Sequence, residues 1–258
     1  AQAVEKFGVS WMMAVPSFYE MLLDHVGDLG CDLGSLRRLE AGGAALSAGR
    51  LEHLEAAFGA DLLPVWGSTE TTGVALALRP DRPREPGTTG RPLAGYEVRV
   101  LDHRGRDCEP GVVGEMWVRG EGVCSGYVNN PDETAALFEA GWYATRDLVR
   151  WTAGGFVEFV GRRSEMLKIG GIRVYPLEIE QVLRQHPGVR DVVVVRAEER
   201  VRGEVARAVV QARTGETLEP KKLARYCRDR MPVFKVPRII EIWEEIPRLP
   251  NGKVDKKQ

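Results

Sequence analysis

The sequence predicts an α/β region followed by a smaller α+β region, joined near residues 161–180. In the first 80 residues, buried-strand segments end in glycine or hydroxyl clusters and run directly into helices, a pattern typical of α/β units. Residues 84–160 contain short strands with frequent glycine, which favours antiparallel pairing. After residue 180 helix and strand alternate over short distances, which predicts a compact α+β domain.

Composition limits the function classes that fit this chain. With 258 residues and 43% hydrophobic content, the chain can fill more than one core. A net charge of -1 gives no global attraction to nucleic acid or anionic membranes, and the longest apolar run, VSWMMAVPSF, is too short to span a bilayer. Four scattered cysteines without a C-x-x-C pair predict reduced thiols in a cytoplasmic protein. The chain starts without methionine inside an amphipathic helix, so we expect a piece of a longer protein.

Residues 1–25 predict a helix, a short strand over WMMAV, and a second helix that begins at Pro16. The spacing of Phe18, Met21 and Leu22 places these three side chains on one face of that second helix. We therefore expect this face to pack on the core.

A glycine pair follows the next predicted strand. SLRRLEA leads directly into Gly42, Gly43 and Ala44, and a helix is predicted over 47–58. A strand that ends in two glycines lets a flat ligand lie against the backbone, as α/β nucleotide sites require. A tight strand-to-helix turn explains the same residues without a ligand.

The following strand, DLLPVWG, ends in the cluster WGSTETTG. Trp66 supplies an aromatic plane, Gly67 an open backbone, Thr69 a hydroxyl and Glu70 a carboxylate. This set suits a nucleotide, because a ring can stack on the base, hydroxyls can bind phosphate oxygens and an acid can hold Mg²⁺. A hydroxyl-rich capping loop is the alternative interpretation.

Residues 84–160 predict a small barrel-like β subdomain. Residues alternate in YEVRV and in GEMWV as they do in half-buried antiparallel strands. PDETAALF predicts a short helix with acidic residues in its first turn. WYATRDLVRW predicts a strand with Asp147 at its end, beside Thr145 and Arg146.

The stretch GRRSEMLKIGGIRVYPLEIE, residues 161–180, predicts a joint between two domains with a ligand near it. Gly161 allows a turn, Arg162 supplies a fixed charge, and Gly170 and Gly171 allow close approach to the main chain. Pro176 suits the first turn of a helix. An arginine-rich turn that leads into an ordinary helix fits the local residues equally well.

Beyond the joint, DVVVVRAE and EVARAVVQAR predict a strand pair, and RIIEIW predicts a further strand. EPKKLARYCRDR predicts a helix with Leu223, Tyr226 and Cys227 on one face. In the final PNGK, we expect Asn251 and Gly252 to form a turn that exposes Lys253. A lysine in such a turn is usually solvated and inert.

Five motifs occur in a characteristic order: WGSTE, GYVNNPDETAALF with WYATRDL, GRRSEMLKIGGIRVYPLEIE, FKVPR and PNGK. Together they cover essentially the whole chain, which resembles the adenylate-forming superfamily of acyl-CoA synthetases, peptide-synthetase adenylation domains and firefly luciferase. The resemblance implies three regions. These are the end of a large α/β AMP-binding domain over 1–83, a β-rich subdomain over 84–163, and a mobile α+β C-terminal domain over 164–258.

The resemblance also implies a reaction and roles for named residues. Such enzymes join a carboxylic acid to ATP as an acyl-adenylate and then transfer the acyl group to a thiol, usually that of coenzyme A. The resemblance implies that the Trp66 ring lies on one side of adenine, with Gly42, Gly43 and Ala44 on the other side and Gly67 also in the nucleotide site. It implies that Thr69 contacts phosphate and that Glu70 holds Mg²⁺. Asp147 and Arg162 would bind the ribose. Lys253 would be the catalytic lysine at the α-phosphate, and Lys168, Gly170 and Gly171 would line the pantetheine tunnel after a domain rotation.

Three departures from the superfamily pattern bear on these roles. The hinge position, usually Asp or Lys, is Ser164, and the usual T-G-D is Thr145, Arg146 and Asp147. The arginine adds bulk beside the ribose carboxylate unless it points to solvent. The serine- and glycine-rich phosphate loop is missing, so we expect that this chain alone neither adenylates efficiently nor binds ATP tightly.

Three functions fit these residues. The first choice is an AMP-forming acid–thiol ligase that uses CoA, because the joint and the C-terminal PNGK resemble acyl- and aryl-CoA ligases. The second is a stand-alone adenylation enzyme that loads a carrier protein. The third, from another class, is a noncatalytic nucleotide-binding or interaction module. Expected partners are a small carboxylic acid and CoA or a phosphopantetheinyl carrier, with no nucleic acid and no membrane span.

Overall fold

The computed structural model describes residues 1–81, 83–200, 203–249 and 254–256. The chain divides into two compact units, residues 1–159 and 160–258. Each unit has hydrophobic clusters of its own.

The first unit begins with a five-stranded sheet in the order β1-β2-β3-β4-β5. Its strands are β1 Trp11–Ala14, β2 Arg38–Ala41, β3 Asp61–Ser68, β4 Gly73–Ala77 and β5 Arg91–Pro92. The helices are α1 Gln2–Phe7, α2 Pro16–Leu29 and α3 Ala48–Phe58. Strands β1 to β3 are parallel, whereas β4 and β5 pair antiparallel, so the carboxyl ends of β1 to β3 share one edge.

Tyr19 of α2 is fully buried in the core of this sheet and ties two strands together. Its hydroxyl donates to the Glu40 carbonyl on β2 at 2.7 Å and lies 2.9 Å from the Met12 carbonyl on β1. Phe58 of α3 meets the Tyr19 ring edge-to-face at 5.8 Å. One side chain therefore links helix α2 to the adjacent parallel strands β1 and β2.

We expect Tyr19→Phe to lower the free energy of unfolding by about 1–2 kcal/mol near pH 8, because the Glu40 carbonyl loses its donor and the polar contact with the Met12 carbonyl is also lost. Burial raises the pKa of Tyr19 to about 12. A raised folded-state pKa gives stability that is present below pH 10 and lost as pH rises through 12. The difference in urea midpoint between wild type and variant should therefore shrink between pH 10 and 12. Tyr226→Phe is the control variant. A difference in urea midpoint between wild type and Tyr19→Phe that stays constant with pH would contradict this assignment.

A second sheet follows in the order β10-β9-β7-β6, with the short β8 paired to β9. The strands are β6 Tyr96–Leu101, β7 Gly114–Gly120, β8 Phe138–Glu139, β9 Trp142–Trp151 and β10 Val157–Arg162. Helix α4, Pro131–Leu137, is capped by Asn130, whose side chain accepts from the Glu133 N–H. Val100, Met116 and Val118 are buried, which confirms the predicted alternation. The closure of this region into a barrel stays a prediction.

The second unit contains a hairpin, a three-stranded sheet and two helices. The hairpin strands are β11 Leu167–Ile169 and β12 Ile172–Val174, and the sheet strands are β13 Val189–Glu199, β14 Gly203–Ala212 and β15 Ile239–Trp243. Helices α5 Pro176–Arg184 and α6 Pro220–Arg228 pack Ile179, Leu183, Leu223 and Cys227 into the core. The predicted strand pair and both helices are thereby confirmed, including Pro176 at the start of α5.

Three expectations from the sequence are wrong or lie outside the described residues. Leu22 is buried as expected, but Phe18 and Met21 are 39% and 49% exposed, and Tyr19 is the large side chain of α2 that is fully buried. Asp147 lies within β9 and not at the end of a strand. The turn expected at residues 251 and 252 lies outside the described residues.

Within the described part of the chain, no helix is long and apolar enough to cross a membrane.

Candidate functional site

The loop at residues 42–44 lies where β2 ends, at the shared carboxyl edge of the parallel strands. Gly42 is buried, and its N–H donates to the Ala14 carbonyl at the end of β1 (3.2 Å). A Cβ on Gly42 would stand 3.0 Å from Val65 Cγ2, so a side chain would press on β3. Gly43 has φ 77°, a left-handed conformation that favours glycine. Gly43 and Ala44 are exposed, which leaves their backbone open to a ligand.

The connection from β3 to β4 carries Thr69 and Glu70 on a single 3₁₀ turn, Thr69–Thr71. Thr71 is fully buried, and its hydroxyl oxygen accepts from the Ser68 N–H at 2.9 Å and lies 2.7 Å from the Gly73 carbonyl. A Cβ on Gly67 would stand 2.0 Å from the Gly73 carbonyl oxygen, so only glycine allows the strands to approach this closely. The close contact fixes the turn that presents Thr69 and Glu70.

Tyr96 at the start of β6 and the loop that follows β7 support this turn through three hydrogen bonds. Tyr96 donates from its hydroxyl to the Thr71 carbonyl at 2.7 Å, and the Thr72 hydroxyl donates to the Gly122 carbonyl at 2.6 Å. The Cys124 N–H donates to the Glu70 carbonyl at 2.8 Å. The backbone of residues 70–72 is therefore fixed from both sides, while Thr69 itself is exposed.

The Glu70 carboxylate accepts a hydrogen bond from the Tyr127 hydroxyl at 2.6 Å. Partial burial raises the pKa of Glu70, but hydrogen bonds from Tyr127, its own backbone N–H, Ser68 and Tyr143 outweigh this and leave the pKa below its usual value. Burial and the bond to Glu70 raise the pKa of Tyr127. Glu70 is thus an anion held in place by a protonated tyrosine, as a cation ligand should be.

Asp147 is placed by a bulge in β9. Between Ala144 and Leu148, the strand pairs with only Glu115 to Trp117 of β7, so extra residues are accommodated. The Thr145 hydroxyl donates to the Met116 carbonyl at 2.8 Å and accepts from the Asp147 N–H at 3.1 Å. As a result, Asp147 turns into the interior, where it is 1% exposed.

The indole N–H of Trp66 donates to Oδ2 of Asp147 at 2.7 Å, which joins the first sheet to the second. Two residues with predicted nucleotide roles are therefore in contact, although 81 residues separate them in sequence. Each carboxylate oxygen has two acceptor positions, so this bond is compatible with further donors such as ribose hydroxyls.

Arg146 occupies the position where the superfamily usually has glycine. Its backbone conformation explains why glycine is usual there. Its φ is 59°, in the left-handed region, and its side chain is exposed and lies 3.0 Å from the Glu133 carboxylate. The side chain therefore points away from Asp147. The concern that its bulk disturbs the carboxylate is removed.

We expect Arg146→Gly to be more stable than Arg146→Ala by about 1 kcal/mol, because both variants lose the exposed ion pair and only alanine keeps the left-handed strain. Urea unfolding of the two variants measures this difference directly. An alanine variant as stable as the glycine variant would show that φ at this position is not constrained.

The second unit holds the remaining predicted residues. Arg162 is exposed at the end of β10. Lys168 is on β11, and its backbone N–H donates to the Glu204 carboxylate at 2.7 Å. Gly170 and Gly171 form the two-residue hairpin turn with φ 57° and 83°, and no atom lies within 4 Å of a Cβ on either. Backbone conformation, not crowding, therefore requires glycine here.

Sequence reasoning missed the tyrosines that hold the site. Tyr96, Tyr127 and Tyr143 all touch the turn or its carboxylate, and none was among the candidate residues. Tyr127 lies in the quoted GYVNN stretch, so its position within a motif was a signal. Lys253 lies outside the described residues, and its catalytic role stays a prediction.

Two family profiles match the chain. The profile described as AMP-binding enzyme matches residues 1–128, and the profile described as AMP-binding enzyme C-terminal domain matches residues 178–253. The chain belongs to the AMP-binding enzyme family. Membership accounts for the order of the motifs, and it places the Trp66–Asp147 pair and the Glu70 turn in an AMP-binding enzyme.

Relatives of this AMP-binding enzyme chain include oxalate–CoA ligase of Arabidopsis thaliana, 32% identical over 98% of this chain and 50% of the relative. A fatty acid–[acyl-carrier-protein] ligase of Streptomyces coeruleorubidus is 32% identical over 99% of this chain and 50% of its own length. The solved o-succinylbenzoate coenzyme A synthetase of Bacillus subtilis, in complex with ATP and magnesium ion, matches with TM-score 0.84 and 28% identity over 100% of this chain and 52% of that one. The chain spans about half the length of the curated relatives it matches.

Proposed function

We propose that the whole protein is an AMP-forming ligase that activates a carboxylic acid with ATP and transfers the acyl group to the thiol of coenzyme A. The observation that carries this proposal is the contact between Trp66 and Asp147 beside a turn that holds Glu70 as an anion. In this proposal the Trp66 ring contacts the base of the nucleotide and the buried Asp147 carboxylate binds its ribose. Glu70 binds the cation that accompanies its phosphates. Membership of the AMP-binding enzyme family supports the same assignment.

In the first step, a carboxylate oxygen of the acid attacks the α-phosphorus of ATP. The bond from the α-phosphorus to the bridging oxygen breaks, and pyrophosphate leaves with that electron pair. Two anions must approach each other, so cationic groups lower the barrier. In this proposal Thr69 contacts phosphate, Arg162 reaches the ribose or phosphate, and Lys253 neutralises charge at the α-phosphate and the acid.

The donor set fits a magnesium ion that is shared with a phosphate. Among the described residues, no three His, Cys, Asp or Glu side chains come together as a metal cluster. Mg²⁺ commonly takes one or two protein carboxylates and completes its shell with water and substrate phosphates, and Glu70 is such a carboxylate. A bound Mg²⁺ would neutralise phosphate charge, and Glu70 is the residue of this chain that would hold it.

In the second step, the thiol loses its proton and its sulfur attacks the acyl carbon of the acyl-adenylate. The bond from the acyl carbon to the AMP oxygen breaks, so the products are a thioester and AMP. We assign the hairpin with Lys168, Gly170 and Gly171 to the passage for the pantetheine arm. A rotation of the C-terminal domain about Ser164 would withdraw Lys253 from the acyl-adenylate and bring this hairpin to it. Such a conformational step can limit turnover.

A carrier protein is the second candidate acceptor. The similarity to a fatty acid–[acyl-carrier-protein] ligase favours it, at an identity equal to that of the oxalate–CoA ligase. Both acceptors present the same pantetheine thiol, so the site chemistry is shared. Offering CoA and a carrier protein to the same enzyme distinguishes them.

The test is pyrophosphate release by the full-length protein over a panel of aliphatic and aromatic acids, followed by addition of CoA or a pantetheinylated carrier. We expect release with one class of acid and thioester formation with CoA. Thioester with the carrier alone would establish the second candidate. The absence of pyrophosphate with every acid, together with intact AMP binding, would replace the ligase by a noncatalytic nucleotide-binding module.

A further inference from the structure

Ile246 and Val254, near the C-terminus of the second unit, pack on the face of its sheet opposite to the helices. Strand residues alternate between faces, and Val192 and Val194 belong to the helix-side core. Val193 and Val209 face the other way and form a cluster with buried Ile246, joined by Trp243 and Val254. Residues 246 and 254 are thus both fixed on the same apolar surface.

Hydrogen bonds close the base of this segment. Arg248 and Val254 form an isolated antiparallel bridge, and the Asp255 N–H donates to the Pro247 carbonyl at 2.9 Å. Lys253 directly precedes Val254 in sequence. The two ends that flank the residue with the proposed catalytic role are therefore held together.

An ionic network anchors the first end. Arg248 donates to Asp191, which is only 8% exposed and also lies 3.4 Å from the Arg184 guanidinium. Arg184 in turn contacts Glu180 at 3.2 Å and donates to the Val192 carbonyl at 2.8 Å. Glu180 accepts from the Val194 N–H at 2.9 Å, so the network extends from α5 through β13 to Arg248.

A half-exposed ion pair anchors the second end. The Lys256 ammonium lies 2.6 Å from the Glu165 carboxylate, although 91 residues separate them in sequence. Glu165 directly follows Ser164, and its N–H donates to the Arg162 carbonyl at 3.0 Å, which closes a turn. The segment that follows Lys253 is thereby attached to the turn at the proposed hinge.

Stability alone is a weak reason for the buried network. Removing charges from water is costly, and apolar residues of similar size often stabilise a core as well or better. Buried ionic groups fix geometry instead, because only one arrangement satisfies them. The residues fixed here are those on either side of Lys253.

We infer that Asp191 and Glu165 are positioning residues for the adenylation step: through Arg248 and Lys256 they hold the segment that carries Lys253. This inference rests on the proposed function, in which Lys253 serves adenylation and not thioester formation. The inference also explains why Asp191 and Glu165 belong to the same unit as Lys253. Residues of one unit move together in any domain rotation.

The test uses Asp191→Asn and Glu165→Gln in the full-length protein and measures the two half-reactions separately. We expect ATP–pyrophosphate exchange to fall about tenfold in Asp191→Asn and severalfold in Glu165→Gln, while conversion of supplied acyl-adenylate to thioester changes less than twofold. Glu178→Gln, which breaks the Lys235 pair elsewhere in the same unit, is the matched control and should leave both half-reactions unchanged. If Asp191→Asn does not fold, Glu165→Gln decides, because its pair is half-exposed.

Each substitution is also combined with Lys253→Ala. If the anchors act through Lys253, they should have no further effect on pyrophosphate exchange once the lysine is absent. Equal losses in both half-reactions, or losses that persist in the Lys253→Ala background, would overturn the positioning role. If Lys253→Ala itself leaves exchange unchanged, the proposed role of the lysine fails, which separates that failure from failure of the anchors alone.

Discussion

Gly67→Ala should destabilise the first unit by roughly 3 kcal/mol or more, because the new methyl group would stand 2.0 Å from the Gly73 carbonyl oxygen and 2.8 Å from Val74 Cα. Backbone atoms cannot rotate away as a side chain can, so β3 and β4 must separate. The turn with Glu70 lies between these strands, and AMP affinity should fall together with stability. Urea unfolding and AMP titration of the full-length protein measure the two effects.

Gly49→Ala is the matched control for this substitution. Gly49 lies in the first turn of α3, and no atom lies within 4 Å of a Cβ built on it. Alanine is the better helix former, so this variant should be neutral or up to about 1 kcal/mol more stable. A Gly67→Ala protein as stable as Gly49→Ala would show that the β3–β4 contact is looser than described.

Lys253→Ala should reduce adenylation by about 10²–10³-fold, the usual loss when one group that stabilises transition-state charge is removed. Thioester formation from a supplied acyl-adenylate should change only a few-fold, because the α-phosphate is no longer attacked in that step. ATP–pyrophosphate exchange and thioester release, measured separately in the full-length protein, give the two rates.

Lys222→Ala serves as the control for Lys253→Ala. Lys222 is an exposed lysine paired with Glu219 on α6, so it changes the charge by the same amount away from the site. Equal losses in both half-reactions of Lys253→Ala would indicate general damage to the C-terminal domain. Unchanged adenylation would remove the lysine from the mechanism.

Local sequence patterns predicted much of the site because the groups involved lie at strand ends. The glycines at 42 and 43 follow β2, and the cluster that begins at Trp66 spans the carboxyl end of β3. The carboxyl ends of parallel strands share one edge of a sheet. The second unit was predicted well for a similar reason. Its strands and helices are short, periodic and bounded by proline or glycine.

Contacts between distant residues could not be predicted in this way. Tyr127 and Glu70 are 57 residues apart, and neither residue's neighbours indicate a carboxylate–phenol bond. The bulge at Arg146 depends on pairing with β7, so the sequence of β9 alone suggested a strand that ends at Asp147. In α2 the helical period allows two overlapping faces, and only packing against β1 and β2 selects Tyr19 over Phe18.

Because both sheets contact the Glu70 turn, cleavage of the chain between them and truncation there should have different effects. Residues 79–81, 83 and 84 are exposed, so we expect proteases to cleave the chain in this stretch. β5 nevertheless pairs with β4 from beyond that stretch, and Tyr96, Gly122, Cys124 and Tyr127 bind the turn from the far side of it. A protease nick there should yield two bands on a denaturing gel and a single peak in native chromatography. A truncation that ends at residue 83 would carry the Glu70 turn without the partners that shape it.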